Sequence, residues 1–79
     1  MIKLNILNMK NFLKVVNQCV GRIMVASPDG KRTDINGRTG IQHRLQAEYL
    51  ENGKCLPLTL EFDYPTDYFA VVSYYAGDC

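Results

Sequence analysis

LPLTLEFDYPTDYFAVVSYY, residues 56–75, contains the two strongest strand patterns of the chain and decides which fold the sequence predicts. In its first third, apolar residues occupy alternate positions: Leu56, Leu58, Leu60 and Phe62. A period of two is the pattern of a β-strand with one buried face. Pro57 falls near the start, where a missing backbone donor is tolerated. We therefore predict a strand over residues 56–62.

Residues 68–75, YFAVVSYY, are apolar on both faces through Phe69–Val72. A strand of that composition is typical of the centre of a sheet, where both faces are covered. We predict a second strand here, after a loop over residues 63–67 and before a tail over residues 76–79.

A hairpin is predicted upstream. Residues 22–27, RIMVAS, are apolar and partly β-branched, and residues 28–30 supply a turn, because Pro restricts φ and Gly adopts positive φ. Residues 31–35 return as a short polar strand, whose charges suit the edge of a sheet.

The first predicted helix covers residues 9–20, MKNFLKVVNQCV, where apolar side chains recur at helical spacing. Asn8 is the expected N-cap, and Gly21 the residue that stops the helix. Residues 1–8 would be either a leader or a short edge strand.

The second predicted helix follows Thr39, its expected N-cap, and ends before Asn52 and Gly53. A competing interpretation makes residues 44–50 a strand followed by a type I′ turn. The helix is favoured because Gln, Arg, Leu, Ala and Glu dominate this segment and are strong helix formers.

These elements predict a single α+β domain over residues 9–79. Its sheet would be four-stranded and mostly antiparallel, with two helices on one face and the order α-β-β-α-β-β. The expected core is Phe12, Leu13, Val16, Leu45, Leu58, Leu60, Phe69 and Val71 or Val72.

The composition of the chain favours some classes of protein over others. The 79 residues carry a formal net charge of +1 and are 47% hydrophobic, which suits a globular chain and not one that coats a polyanion. The three cysteines include no CxxC pair, so reduced thiols are expected. Polar residues interrupt the apolar runs near the start. We therefore expect a cytoplasmic protein with neither a signal peptide nor membrane association.

Residues 37–40, GRTG, resemble the GxxG loops with which KH domains clamp a nucleic-acid backbone. Such a loop joins two helices, whereas a turn and a polar strand precede this one. We therefore interpret it as a turn and the start of a helix. The alternative is a weak nucleic-acid-binding accessory protein with this basic set: Lys31, Arg32, Arg38 and Arg44.

Catalytic and metal sites are not favoured. His43 is the single histidine, and no local motif pairs it with a nucleophile. Cys19, Cys55 and Cys79 are scattered, without the short spacing of a zinc site. We predict no enzymatic activity, no metal and no cofactor.

The tyrosines near the end of the chain are the candidate interaction residues: Tyr64, Tyr68, Tyr74 and Tyr75. With both helices on one face, the other face of the predicted sheet would expose tyrosines. Tyrosine is common at interaction surfaces because it buries a large area and keeps a hydroxyl. The alternative is that these rings complete a small core.

Three stretches resemble a family of small uncharacterised accessory proteins of mobile or conjugative elements in Gram-positive gut bacteria: MKNFLKVVNQCVGRI, PDGKRTDING and LPLTLEFDYPTDYFAVVSYYAGDC. The resemblance spans residues 9–79. It implies a bacterial cytoplasmic setting and carries no functional residues. We expect a non-enzymatic protein-interaction or regulatory module whose partner is either a second copy of the chain, as a homodimer, or another protein.

Overall fold

The computed structural model describes residues 2–78 of the chain. The elements in that part are β1 (Ile2–Ile6), α1 (Met9–Gln18), β2 (Ile23–Ala26), β3 (Arg32–Asp34), α2 (Thr39–Glu51), β4 (Leu56–Phe62) and α3 (Pro65–Asp78). The prediction of an α+β fold with a four-stranded antiparallel sheet is confirmed. The predicted order and the count of two helices are wrong. The predicted order omits β1, although a short edge strand is one of the two alternatives for residues 1–8, and Pro65–Asp78 form the helix α3 instead of a strand.

The sheet has the strand order β1-β4-β2-β3, and each neighbouring pair is antiparallel. β1 and β2 therefore run parallel on either side of β4, and α1 connects them. β3 and β4 run parallel on either side of β2, and α2 connects them. Two interleaved split β-α-β units thus replace the two α-β-β units that the sequence predicts.

The three helices of the described residues pack on one face of the sheet. Alternate strand residues point to this face and are buried with residues from each helix: Leu4, Ile6, Met9, Phe12, Leu13, Val16, Ile23, Ile35, Leu45, Leu58, Leu60 and Val71. The inclusion of Phe69 in the predicted core is wrong, since this residue is 63% exposed. Val72 is half-buried.

β1 lies at one edge of the sheet and pairs with β4 from Ile2↔Leu60 to Ile6↔Leu56. Its weak alternation places Leu4 in the core. Met1 lies outside the described residues.

α1 begins where predicted, because the Asn8 side-chain oxygen accepts a hydrogen bond from the Asn11 N–H at 3.3 Å. Its last residue is Gln18, so the helix is two residues shorter than the predicted 9–20 segment. Cys19 is in extended backbone and caps the end.

α2 is helical to Glu51, so the alternative strand over residues 44–50 is excluded. Thr39 is its first helical residue and not its N-cap. Arg38 occupies the N-cap position and makes no side-chain capping hydrogen bond.

α3 is the largest departure from the predicted structure. The sequence predicts a loop over residues 63–67 and a strand over residues 68–75, whereas Pro65–Asp78 form one helix. Residues 76–78 continue it, and Cys79 lies outside the described part. Pro65 occupies the first helical turn, where its restricted φ and missing N–H are tolerated.

Local composition misled the prediction for α3 because β-branched and aromatic residues favour a strand only beside suitable cross-strand neighbours. β1 already occupies the edge next to β4. The inward residues of α3 instead recur every three or four positions, as Asp67, Val71 and Tyr74. That spacing gives a helix one buried stripe, and α3 packs it against α1.

Candidate interaction site

The four predicted tyrosines separate into two pairs. Tyr74 and Tyr75 are half-buried against the core. The Tyr74 hydroxyl donates to the Asn8 carbonyl at 2.8 Å, and the Tyr75 hydroxyl accepts a long hydrogen bond (3.5 Å) from the backbone N–H of Asn5. The tyrosine face of a sheet is not formed, because these residues lie on a helix. The second pair, at the start of α3, is exposed.

This exposed pair belongs to a surface that we call the aromatic patch: Val20, Tyr64, Tyr68 and Phe69. Val20 and Tyr64 line the same shallow depression. Tyr68 follows one helical turn later, and its ring meets the ring of Phe69 edge to face, with centroids 5.6 Å apart. A second edge-to-face contact, also at 5.6 Å, joins Tyr68 to Phe62. Such arrangements are favoured by the ring quadrupoles, and the two contacts orient the ring of Tyr68.

Val20 stands on a loop whose backbone is held from two sides. The carboxylate of Asp67 accepts from the N–H of Val20 at 3.1 Å and from the N–H of Gly21 at 2.8 Å. The side-chain amide of Asn36 donates to the carbonyls of Cys19 and Gly21 at 3.0 and 2.7 Å. The backbone is thereby immobilised, yet Val20 is 85% exposed.

Gly21 lets Tyr64 lie against this loop. A Cβ at Gly21 would sit 2.4 Å from Cδ2 of Tyr64, well inside van der Waals contact. The close approach therefore requires a residue without a side chain.

One ion pair borders the aromatic patch. Nε of Arg22 lies 2.8 Å from Oδ2 of Asp63, and both side chains are solvent-accessible. The hydrogen bond from Arg22 lowers the pKa of Asp63, and the pKa of Arg22 rises in return. At neutral pH the edge of the patch therefore carries one charge of each sign.

Cys19 begins the clamped loop. Burial, and after it the charge of the nearby Asp67 carboxylate and a hydrogen bond to it, together raise the pKa of its thiol to about 11. Its Sγ donates to the Val15 carbonyl at 3.3 Å. At neutral pH the group is a protonated thiol, which is a poor nucleophile.

The basic set is spread over several elements. Lys31 is in the β2–β3 turn and Arg38 caps α2. Arg32 extends from β3 and is ion-paired with Glu61 of β4. Arg44 is exposed on α2. Gly37, the first residue of GRTG, has φ of +71° and forms the turn before α2.

The residues that sequence reasoning missed are Val20, Asn36 and the clamping role of Asp67. The one available signal was an acidic residue three positions after Tyr64 in a segment that begins with proline, which is typical of a first helical turn. Among residues 2–78, no three His, Cys, Asp or Glu side chains come together as a metal site. No helix in the same range has the length and apolarity to cross a membrane.

Comparison with protein-family models, curated protein sequences and solved structures found no match. The resemblance to accessory proteins of mobile elements stays a prediction.

Proposed function

We propose that the protein is a non-enzymatic protein-interaction module, and that its aromatic patch binds a second copy of the chain. The observation that carries this proposal is Val20, 85% exposed on a loop held by four side-chain hydrogen bonds. An apolar residue on a pre-ordered backbone loses little backbone entropy when it binds, so more of its contact energy contributes to affinity.

The rest of the patch supports the same chemistry. Tyr64 is exposed in the depression that it shares with Val20, and Tyr68 and Phe69 are exposed in the first turns of α3. Tyrosine is enriched among the residues that contribute most to binding, and contiguous apolar surface on a small protein is often an interaction site.

A second copy is the partner favoured by the charges at the edge of the patch. Arg22 and Asp63 carry opposite charges side by side. In a two-fold dimer a surface meets itself, so each Arg22 can approach the other copy's Asp63. A short chain also has little core of its own and gains relatively more from burying surface in a dimer. The family resemblance of residues 9–79 would place this module in a bacterial mobile-element system.

Sedimentation equilibrium at tens of micromolar protein tests the proposal. The wild-type chain should sediment at twice its 9.0 kDa mass. Val20→Ser and Phe69→Ser should return it to a monomer, because each removes an exposed apolar contact. Leu50→Ser is the matched control, since Leu50 is 61% exposed on α2 outside the patch. A wild-type monomer at every concentration would refute the proposal, and so would a dimer unaffected by both patch variants.

A further inference from the structure

β2 and β4 separate at a pair of prolines. Their antiparallel pairing runs as far as Ala26↔Thr59. Two residues further in the same register, Pro28 would lie opposite Pro57.

The hydrogen-bond pattern explains why pairing cannot continue there. The Ser27 N–H donates to the Lys31 carbonyl at 2.8 Å, so Ser27 directs its backbone groups toward β3. Successive residues of a strand direct their backbone N–H and C=O groups to opposite neighbouring strands. The next residue, Pro28, would therefore have to hydrogen-bond to β4. Neither Pro28 nor Pro57 has an N–H to donate. The sheet therefore divides at this pair, which we call the proline fork.

The proline fork opens into a cleft of about 690 Å³, closed on the helical side by α2. Its apolar lining comes from both layers: Val25, Ile35, Ile41, Leu45, Leu56 and Leu58. This volume falls within the range of small-molecule sites, which combine apolar walls with a few polar groups. The cleft shares no residue with the aromatic patch.

The charged groups of the cleft favour an anion. Lys3, Arg32 and Arg44 line it together with a single carboxylate, that of Glu48. Arg32 is paired with Glu61, whereas Lys3 and Arg44 make no ion pair with the described side chains. With Arg32 paired and Glu48 set against Lys3 and Arg44, the lining keeps one net positive charge, and an apolar cleft of that kind suits a ligand that is apolar at one end and anionic at the other.

We propose that the proline fork is a binding site for a small amphiphilic anion. The hydrocarbon body packs over Leu56 and Leu58, and a carboxylate or phosphate head group is held by Arg44 on the helical side of the cleft. The apolar walls supply burial. The guanidinium supplies charge-assisted hydrogen bonds, which are stronger than neutral ones.

The test is titration of the isotopically labelled wild-type chain with decanoate, decyl phosphate and neutral decanol, each below its micelle concentration, followed by amide resonances. Decanoate and decyl phosphate should shift the amides of Leu45, Leu58 and Thr59, and comparison of the two distinguishes a carboxylate from a phosphate head group. Decanol should bind about tenfold more weakly, since it forgoes hydrogen bonds to charged groups.

Charge variants sharpen the test. Arg44→Gln should weaken decanoate binding about tenfold, and Glu48→Gln should strengthen it roughly threefold by removing a like charge. Lys10→Gln, a lost cation on the exposed side of α1, should leave the affinity unchanged. The proposal fails if decanol binds as tightly as decanoate, if the shifts cluster at Val20 and Tyr64 instead, or if no probe binds at millimolar concentration.

Discussion

Oδ2 of Asp67 accepts a hydrogen bond from the backbone N–H of Gly21 at 2.8 Å, which ties the first turn of α3 to the loop between α1 and β2. Asp67 is 3% exposed, so this bond and its partner to Val20 are shielded from water. Hydrogen bonds to a shielded carboxylate are among the stronger ones in proteins.

Asp67→Asn should destabilise the protein by about 2 kcal/mol, because the amide keeps one acceptor and places a donor against a second N–H group. Urea denaturation measures the loss. Glu51→Gln is the control, since it removes the same charge from an exposed position at the end of α2. Equal stability of the two variants would show that the clamp contributes nothing. Dimerisation of Asp67→Asn should weaken as well, because Val20 loses its fixed position.

Phe12→Ala should cost about 3–5 kcal/mol, since it empties a fully buried site in α1. A loss of that size removes much of the stability of a small domain. Phe69→Ala, the same chemical change on an exposed residue, should cost less than about 1 kcal/mol when measured at a concentration where the chain is monomeric. Thermal denaturation compares the two. If Phe69→Ala lowered the stability as much as Phe12→Ala, α3 would have to be rotated about its axis so that Phe69 faced the core.

Gly21→Ala should destabilise by about 1–3 kcal/mol, because the added Cβ overlaps the ring of Tyr64 and forces it away. Gly40→Ala provides the comparison, since a Cβ there meets nothing within 4 Å and Gly40 lies inside α2. That change should stabilise by up to about 1 kcal/mol. If the denaturant midpoints of both variants moved in the same direction, Tyr64 would not be packed on the loop that contains Gly21.

Alkaline pH should reveal the environment of Cys19. Its folded pKa of about 11 lies above the ordinary value of 9.0, so folding favours the protonated thiol. The resulting stability is complete below pH 9.0 and is lost as pH rises toward about 11. Cys19→Ala lacks this contribution while keeping every tyrosine and lysine. Wild type should therefore lose more stability than Cys19→Ala between neutral and alkaline pH, and parallel curves would show that the thiol titrates normally.

Nucleic-acid binding, the alternative function, should be no tighter than micromolar at physiological salt. Arg32 is ion-paired with Glu61, and Arg38 lies at the start of α2 and not on β3. Few cations are therefore placed to contact successive phosphates of one nucleic-acid strand. Fluorescence anisotropy over a range of salt concentrations measures both the affinity and the number of phosphates contacted. Nanomolar, salt-sensitive binding that is lost in Arg32→Ala and Arg38→Ala would make the alternative the better function.

Sequence alone was sufficient for α1, for the β2–β3 hairpin and for β4. In each, one local rule decides the structure: Asn8 caps a helical stripe, Gly30 permits the turn with φ of +90°, and Leu58 and Leu60 alternate toward one face. These signals act between residues close in the chain, so they do not depend on what packs against them.

Only the tertiary structure decided the secondary structure of residues 68–75 and, through it, the position of the candidate site. An apolar run without clear periodicity becomes a strand or a helix according to the neighbours that cover it. Here β1 occupies the sheet edge beside β4, and α3 packs on α1 with Asp67 turned toward Gly21. The aromatic patch and the proline fork depend on contacts between residues that are far apart in sequence. Such contacts leave no periodic pattern in the sequence, because only the folded chain brings Val20 to Tyr64 and Pro28 toward Pro57.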